Sequence, residues 1–218
     1  MVRADSDYEN CLRILKEELM PAMGCTEPIA IAYCAAVARE TLGAMPDRVL
    51  VEASGNIIKN VKSVIVPNTD GLKGIPAATA AGIVAGNASQ KLEVVASVTA
   101  EQIREIKSYL EHTNIEVSLA SSPYIFDIMV TLWKGESYSK VRIVNYHTNI
   151  VLIEKDGNIL HSSDMNCDMS SGLTDRSFLT VERILDFANS VDLADVKELL
   201  DIQIDYNMSI SEEGLKNS

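Results

Sequence analysis

The run Tyr124-Ile125-Phe126-Asp127-Ile128-Met129-Val130-Thr131-Leu132-Trp133-Lys134-Gly135-Glu136-Ser137-Tyr138-Ser139-Lys140-Val141-Arg142-Ile143-Val144-Asn145-Tyr146 decides the fold class of this chain. On either side of Lys134-Gly135-Glu136 the residues alternate or are rich in β-formers, which predicts two strands joined as a hairpin. Working outward, Glu116-Val117-Ser118-Leu119 precedes this pair and Asn149 to Glu154 follows it. Short turns at Ser121-Ser122-Pro123, His147-Thr148 and Asp156-Gly157 separate these stretches. Residues 112–165 therefore read as an antiparallel β-meander.

Upstream of the meander the period is helical. Cys11, Leu12, Leu15 and Leu19 make one apolar stripe on a surface helix that Met20-Pro21 ends. Thr26 to Leu42 is apolar on nearly every side and rich in alanine, so it should be a buried central helix, stopped near Gly43 and Pro46. Arg48 to Ala53 is a short valine-rich strand, and Gly74 to Gly86 is small and apolar enough for a closely packed helix. Thr99 to His112 follows the helical period, with Thr99 and Gln102 spaced as a capping box. After a polar connector from Ser162 to Gly172, helices are expected at Phe178 to Ala188 and around Val196 to Leu200, and Ser209 to Ser218 is polar. The expected class is α+β, in three regions. Residues 1–111 form a mixed helical region, 112–165 the antiparallel β-meander, and 166–218 a flanking C-terminal helical segment.

With 218 residues the chain can bury a sizeable core, and its 5% aromatic content predicts an aliphatic, alanine-packed interior. Its net charge of -12 opposes binding to phosphate backbones or anionic lipid, and no basic patch offsets it. The N-terminus carries no signal-peptide pattern, and no apolar run approaches the about 18 residues of a membrane span, so a cytoplasmic location is expected. Cys11, Cys25, Cys34 and Cys167 show no paired C-x-x-C spacing, which argues against a disulfide framework or a self-contained zinc site.

Chemistry concentrates at Met23-Gly24-Cys25-Thr26-Glu27-Pro28, just before the alanine-rich helix. Thr26 is an N-cap candidate, Glu27 complements the helix dipole, and Pro28 fits a first turn. A thiol at such an entrance sees free backbone N–H groups that favour the thiolate, the form that binds metal or attacks an electrophile. A purely structural role is the plainer alternative for an isolated cysteine. Cys11 and Cys34 read as core, and Cys167 as an inert thiol between acidic neighbours. If Gly55-Asn56-Ile57-Ile58-Lys59-Asn60 is helical, Asn56, Lys59 and Asn60 share a face suited to an α-carboxylate and amine, or simply a solvated side. Asn68, in the polar loop Pro67 to Gly74, could help present an anion site, although an ordinary turn explains the loop as well and P-loop spacing is absent. His112, His147 and His161 lack metal-ligand spacing and read as surface residues, and no nucleophile elbow is present.

Pro21-Ala22-Met23-Gly24-Cys25-Thr26-Glu27-Pro28, Ser54-Gly55-Asn56-Ile57-Ile58-Lys59-Asn60 and His147-Thr148-Asn149-Ile150 together resemble the L-cysteine desulfidase family, which is related to bacterial iron-sulfur L-serine dehydratases. The resemblance implies a lyase that converts L-cysteine to pyruvate, ammonia and sulfide, or, in the sister enzymes, L-serine to pyruvate and ammonia. It implies a four-iron four-sulfur (4Fe-4S) cluster held by three cysteine thiolates, with Cys25 at the position of the N-terminal ligand. An open iron would act there as a Lewis acid on the leaving group. Asn56, Lys59, Asn60 and Asn68 are then the residues to hold the amino-acid head group, a role inferred from their type and not carried over from the family.

Members of that family are about twice as long, and their other cluster cysteines belong to a C-terminal half; Cys11, Cys34 and Cys167 do not occupy those positions. The chain is accordingly expected to be the N-terminal half of such an enzyme, shortened or one subunit of a split one, and inactive by itself. Its expected partners are a small amino-acid substrate and the missing C-terminal half or second subunit, with no nucleic acid and no membrane; a homo-oligomer is left open. A non-catalytic amino-acid-binding or assembly module is the alternative from another class.

Overall fold

The computed structural model describes residues 1–3, 5–22, 24–163 and 174–216. Two compact units divide the chain, Ala22–Asn166 on the one hand and Met1–Pro21 with Cys167–Ser218 on the other.

After α1 (Ser6–Glu18), which belongs to the smaller unit, the larger unit begins with α2 (Thr26–Leu42), whose residues from Pro28 to Ala36 are all buried. Around it come β1 (Arg48–Ala53), α3 (Gly55–Val61), α4 (Gly74–Ala85), a 3-10 turn (Ala88–Glu93) and α5 (Ala100–His112). The strands β2 (Ile115–Leu119), β3 (Asp127–Lys134), β4 (Ser137–Val144), β5 (Ile150–Lys155) and β6 (Asn158–Ser162) complete it. The capping box expected at Thr99 and Gln102 is present at the start of α5.

One six-stranded sheet results, in the order β2-β1-β3-β4-β5-β6. The α+β class holds, and β3 to β6 form an antiparallel meander as the alternation predicts. The sheet as a whole is mixed: β1 inserts between β2 and β3, parallel to β2 (Val51 opposite Val117) and antiparallel to β3 (Val51 opposite Val130). A parallel pair needs a long crossover, and α3, α4 and α5 supply it between β1 and β2. The meander also runs one strand further than its sequence pattern showed, because β6 pairs with β5 although all its residues are exposed.

Helix and sheet share one core. Ile128, Val130 and Leu132 of β3 and Val141 and Ile143 of β4 are fully buried together with the α2 side chains. The Ser139 hydroxyl donates to the Ala38 carbonyl at 2.7 Å and the Cys34 thiol to the Val141 carbonyl at 3.4 Å, which ties α2 to β4. On its other flank α2 meets α4 almost backbone to backbone. A Cβ on Gly82 would stand 2.1 Å from the Ala32 carbonyl oxygen, so only glycine fits there. The small, apolar Gly74–Gly86 stretch forms the tightly packed helix its composition predicts.

The smaller unit comprises α1 (Ser6–Glu18), α6 (Val181–Ser190) and α7 (Leu193–Lys216) around Tyr8, Cys11, Phe187 and Val196. The Tyr8 ring meets Phe187 edge-on at 5.4 Å, and its hydroxyl donates to Asp195 at 2.6 Å while accepting the Asp192 N–H at 3.0 Å. The polar C-terminal stretch from Ser209 does not end the secondary structure: α7 continues through Lys216. Among the described residues, no helix is long and apolar enough to cross a membrane.

Candidate functional site

The entrance to α2 is built by a tight backbone turn. Gly24 sits at φ +70, where a side chain is strained, and a Cβ there would lie 3.3 Å from Pro67 Cγ. Cys25, not Thr26, is the N-cap, with an extended backbone at φ -69 and ψ 122; Thr26 is the first helical residue. The Cys25 side chain makes no capping hydrogen bond, and its thiol donates instead to Glu27 Oε2 at 3.2 Å.

This geometry reverses the expected electrostatics of the thiol. Cys25 is exposed, yet partial desolvation of its sulfur, followed by the hydrogen bond and negative charge of Glu27, raises its pKa above the ordinary thiol value. The free protein therefore presents a protonated Cys25 whose proton is shared with a carboxylate. Burial alone would raise the Glu27 carboxyl, but the hydrogen bond from Cys25, its own backbone N–H, the charge of His147 when that ring is protonated and the nearby Asn60 amide leave its pKa lowered.

Two other segments lie near Glu27. Helix α3 starts at the N-cap Ser54, whose hydroxyl accepts from Ile57 N at 3.5 Å and donates to the Ile125 carbonyl at 2.6 Å. Ile57 and Val61 are buried, which leaves Asn56, Lys59 and Asn60 exposed on the outer face, with Asn60 near Glu27. The turn between β4 and β5 brings His147. That turn passes through Asn145 at φ +68 and is closed by the Asn149 side-chain amide donating to the Val144 carbonyl at 2.9 Å. The His147 ring stands edge-on to Phe126 at 4.7 Å and is half-buried rather than on the open surface. Burial lowers its pKa, and the Glu27 charge only partly offsets this, so the imidazole is neutral near pH 7.

Of the residues picked out as head-group contacts, Asn60 joins the Cys25 neighbourhood through Glu27, and Asn56 and Lys59 share its helix. Asn68 is engaged elsewhere: its side-chain nitrogen donates to the carbonyls of Val95 at 3.0 Å and Ala96 at 3.2 Å. Glu27 and His147 as partners escaped the sequence reading, because nothing local to either residue signals a side chain contributed from a distant turn.

The described cysteines, Cys11, Cys25 and Cys34, do not come together as a cluster site. Cys34 is fully buried, its pKa pushed far up by desolvation, and Cys11 is buried in the other unit. Cys167 lies outside the described residues. Among the described residues, no group of three or more His, Cys, Asp or Glu side chains is placed to hold a metal ion. A three-thiolate donor set is thus not met by these residues, and Cys25 is the one exposed thiol among them.

Comparison with known proteins finds full-length similarity. The chain is 58% identical over 219 residues to a protein of Desulfitobacterium hafniense, a match that takes in 100% of this chain and 51% of that protein. Its relatives are named UPF0597 proteins. A UPF0597 protein of Lachnoclostridium phytofermentans is 48% identical over 97% of the chain and 50% of the relative, and one of Treponema denticola 44% identical over 98% and 50%. The chain spans about half the length of the curated UPF0597 relatives it matches. No protein-family model matches it, and no solved structure matches it.

Proposed function

We propose that this chain is the Cys25-bearing part of a cytoplasmic iron-sulfur-dependent lyase that eliminates sulfide from L-cysteine to give pyruvate and ammonia. The observation that carries the reading is the exposed Cys25 at the start of α2, with Glu27, Asn60 and His147 gathered beside it. In this reading Cys25 is one ligand of a 4Fe-4S cluster, and the other thiolates come from outside these residues. Because the donor set is not completed here, no catalytic step is assigned to the cluster. The chain's own contribution is positional: Glu27 accepts the hydrogen bond of the Cys25 thiol, Asn60 and His147 lie near Glu27, and Asn56 and Lys59 offer an amide and a cation to an amino-acid head group.

The length of the UPF0597 relatives supports this division of labour, since each match covers about half of the relative. The test is anaerobic turnover by the whole protein, this chain together with the remaining half. Sulfide and pyruvate should appear in equal amounts from L-cysteine and vanish with Cys25→Ala; undiminished sulfide release from that variant would overturn the reading. Preferential pyruvate formation from L-serine would assign the sister reaction, serine dehydration.

The exposed Asn56, Lys59 and Asn60 on the outer face of α3 also suit a second reading, a non-catalytic amino-acid-binding module. Calorimetry of this chain with L-cysteine and L-serine separates the two: a saturable heat that Lys59→Ala and Asn60→Ala abolish, without turnover by the whole protein, would support the module.

A further inference from the structure

Helix α7 changes character along its length. Val196 packs with Tyr8, Cys11 and Phe187, and Leu200 lies against that cluster. From Asp201 to Lys216 every residue is exposed. This exposed length is not polar: it carries Ile202, Ile204, Tyr206, Met208, Ile210 and Leu215, between 43% and 74% exposed.

Helical geometry sorts these six side chains into two groups. At about 100° per residue, Ile202, Tyr206 and Ile210 make one stripe, and Ile204, Met208 and Leu215 make another on nearly the opposite side. Asp201, Asp205 and Glu212 separate the stripes along one flank, and Gln203 and Asn207 along the other. A helix lying on a single surface needs one stripe; a helix with two opposed stripes is suited to burial between two surfaces. An isolated helical extension of this length is also marginal in water, where helices draw most of their stability from packing.

The comparisons say what could supply such surfaces. The Desulfitobacterium hafniense relative is 58% identical across the whole of this chain, yet the chain spans only 51% of it. That relative therefore contains about as much polypeptide again, in a protein that also carries a segment aligned with α7. We propose that the two apolar stripes of α7 are the docking site for the polypeptide that forms the other half of these UPF0597 relatives. The proposal concerns assembly alone and does not depend on lyase activity, so it can fail or stand independently of the function proposed above.

Amide hydrogen exchange tests it on proteins as they exist, this chain and the whole Desulfitobacterium hafniense relative. In this chain, the amides of 201–216 should exchange nearly as fast as unstructured peptide. In the relative, the amides aligned with them should be slowed at least roughly 100-fold, independently of protein concentration. Aspartate at the positions aligned with Ile204 and Met208 should remove that protection, while aspartate at the position aligned with the exposed Ile159 of β6 should leave it intact. Equal, fast exchange in both proteins would overturn the proposal. Protection that appears in this chain alone as its concentration rises would overturn it in favour of a second copy.

Discussion

The Cys25 thiol and the Glu27 carboxylate share a proton across 3.2 Å at the first turn of α2. A cysteine at a helix entrance is usually a more acidic thiol, because the free N–H groups stabilise its anion. Here desolvation, together with the hydrogen bond and charge of the carboxylate two residues on, outweighs the helix and holds the thiol protonated. Any cation that binds at Cys25 must displace that proton.

Glu27→Gln should therefore make Cys25 more reactive. Removing the charge lowers the thiol pKa, so iodoacetamide labelling of Cys25 at pH 8, located by mass spectrometry, should be faster than in the parent protein. Cys11 and Cys34 should stay unlabelled under native conditions in both, because both are buried.

His147 should leave a mark on stability against pH. Its folded-state pKa is lowered by burial, so below the ordinary histidine value the unfolded chain takes up a proton that the folded chain resists. The unfolded state then binds more protons, and stability should fall as pH drops from about 6.5 toward the folded value. Denaturant titrations of the parent and of His147→Gln from pH 7.5 to 5.5 check this: the decline should be shallower in the variant.

The approach of α2 to α4 predicts a large penalty at one glycine and none at another. Gly82→Ala gains about 1 kcal/mol of helix propensity but drives a methyl group into the Ala32 carbonyl, which cannot retreat without moving α2. A net loss of roughly 3 kcal/mol is expected by chemical denaturation. Gly214→Ala in α7, where nothing lies within 4 Å of the added Cβ, should be neutral or slightly stabilising.

Asp127 at the start of β3 is 1% exposed and receives both Nε and Nη2 of Arg142, at 2.9 and 2.6 Å. Asp127→Ala should cost roughly 3 kcal/mol, chiefly by leaving a partly buried guanidinium without its charge partner. Asp127→Ala combined with Arg142→Met should cost less than the two single changes added together, and a double-mutant cycle measures the difference.

Much of the fold was legible because hydrophobic period is a local property. The alternation at Asp127–Lys134 and Ser137–Val144 marks strands, and the apolar circumference of Thr26–Leu42 marks a buried helix, whatever these elements later touch. The failures are as physical. Strand β6 is exposed on every residue, so it carries no hydrophobic alternation to read. Ser209 to Lys216 looked like a polar tail because its few apolar residues fall on two sides of α7 instead of one. Among the candidate residues, Cys25, Asn56, Lys59 and Asn60 are singled out by residue type alone, and the commitment of Asn68 to Val95 and Ala96 is not visible in the sequence.

The sequence by itself determined the α+β class, the buried alanine-rich helix and the placing of a thiol at its entrance, since period, composition and capping signals act over one or two turns of chain. Only the tertiary structure decided that β1 lies between β2 and β3, and that Asn60 and His147 come near Glu27 and Cys25. Strand order and side-chain convergence depend on how distant segments close against one shared core, and no local pattern records which segments those are.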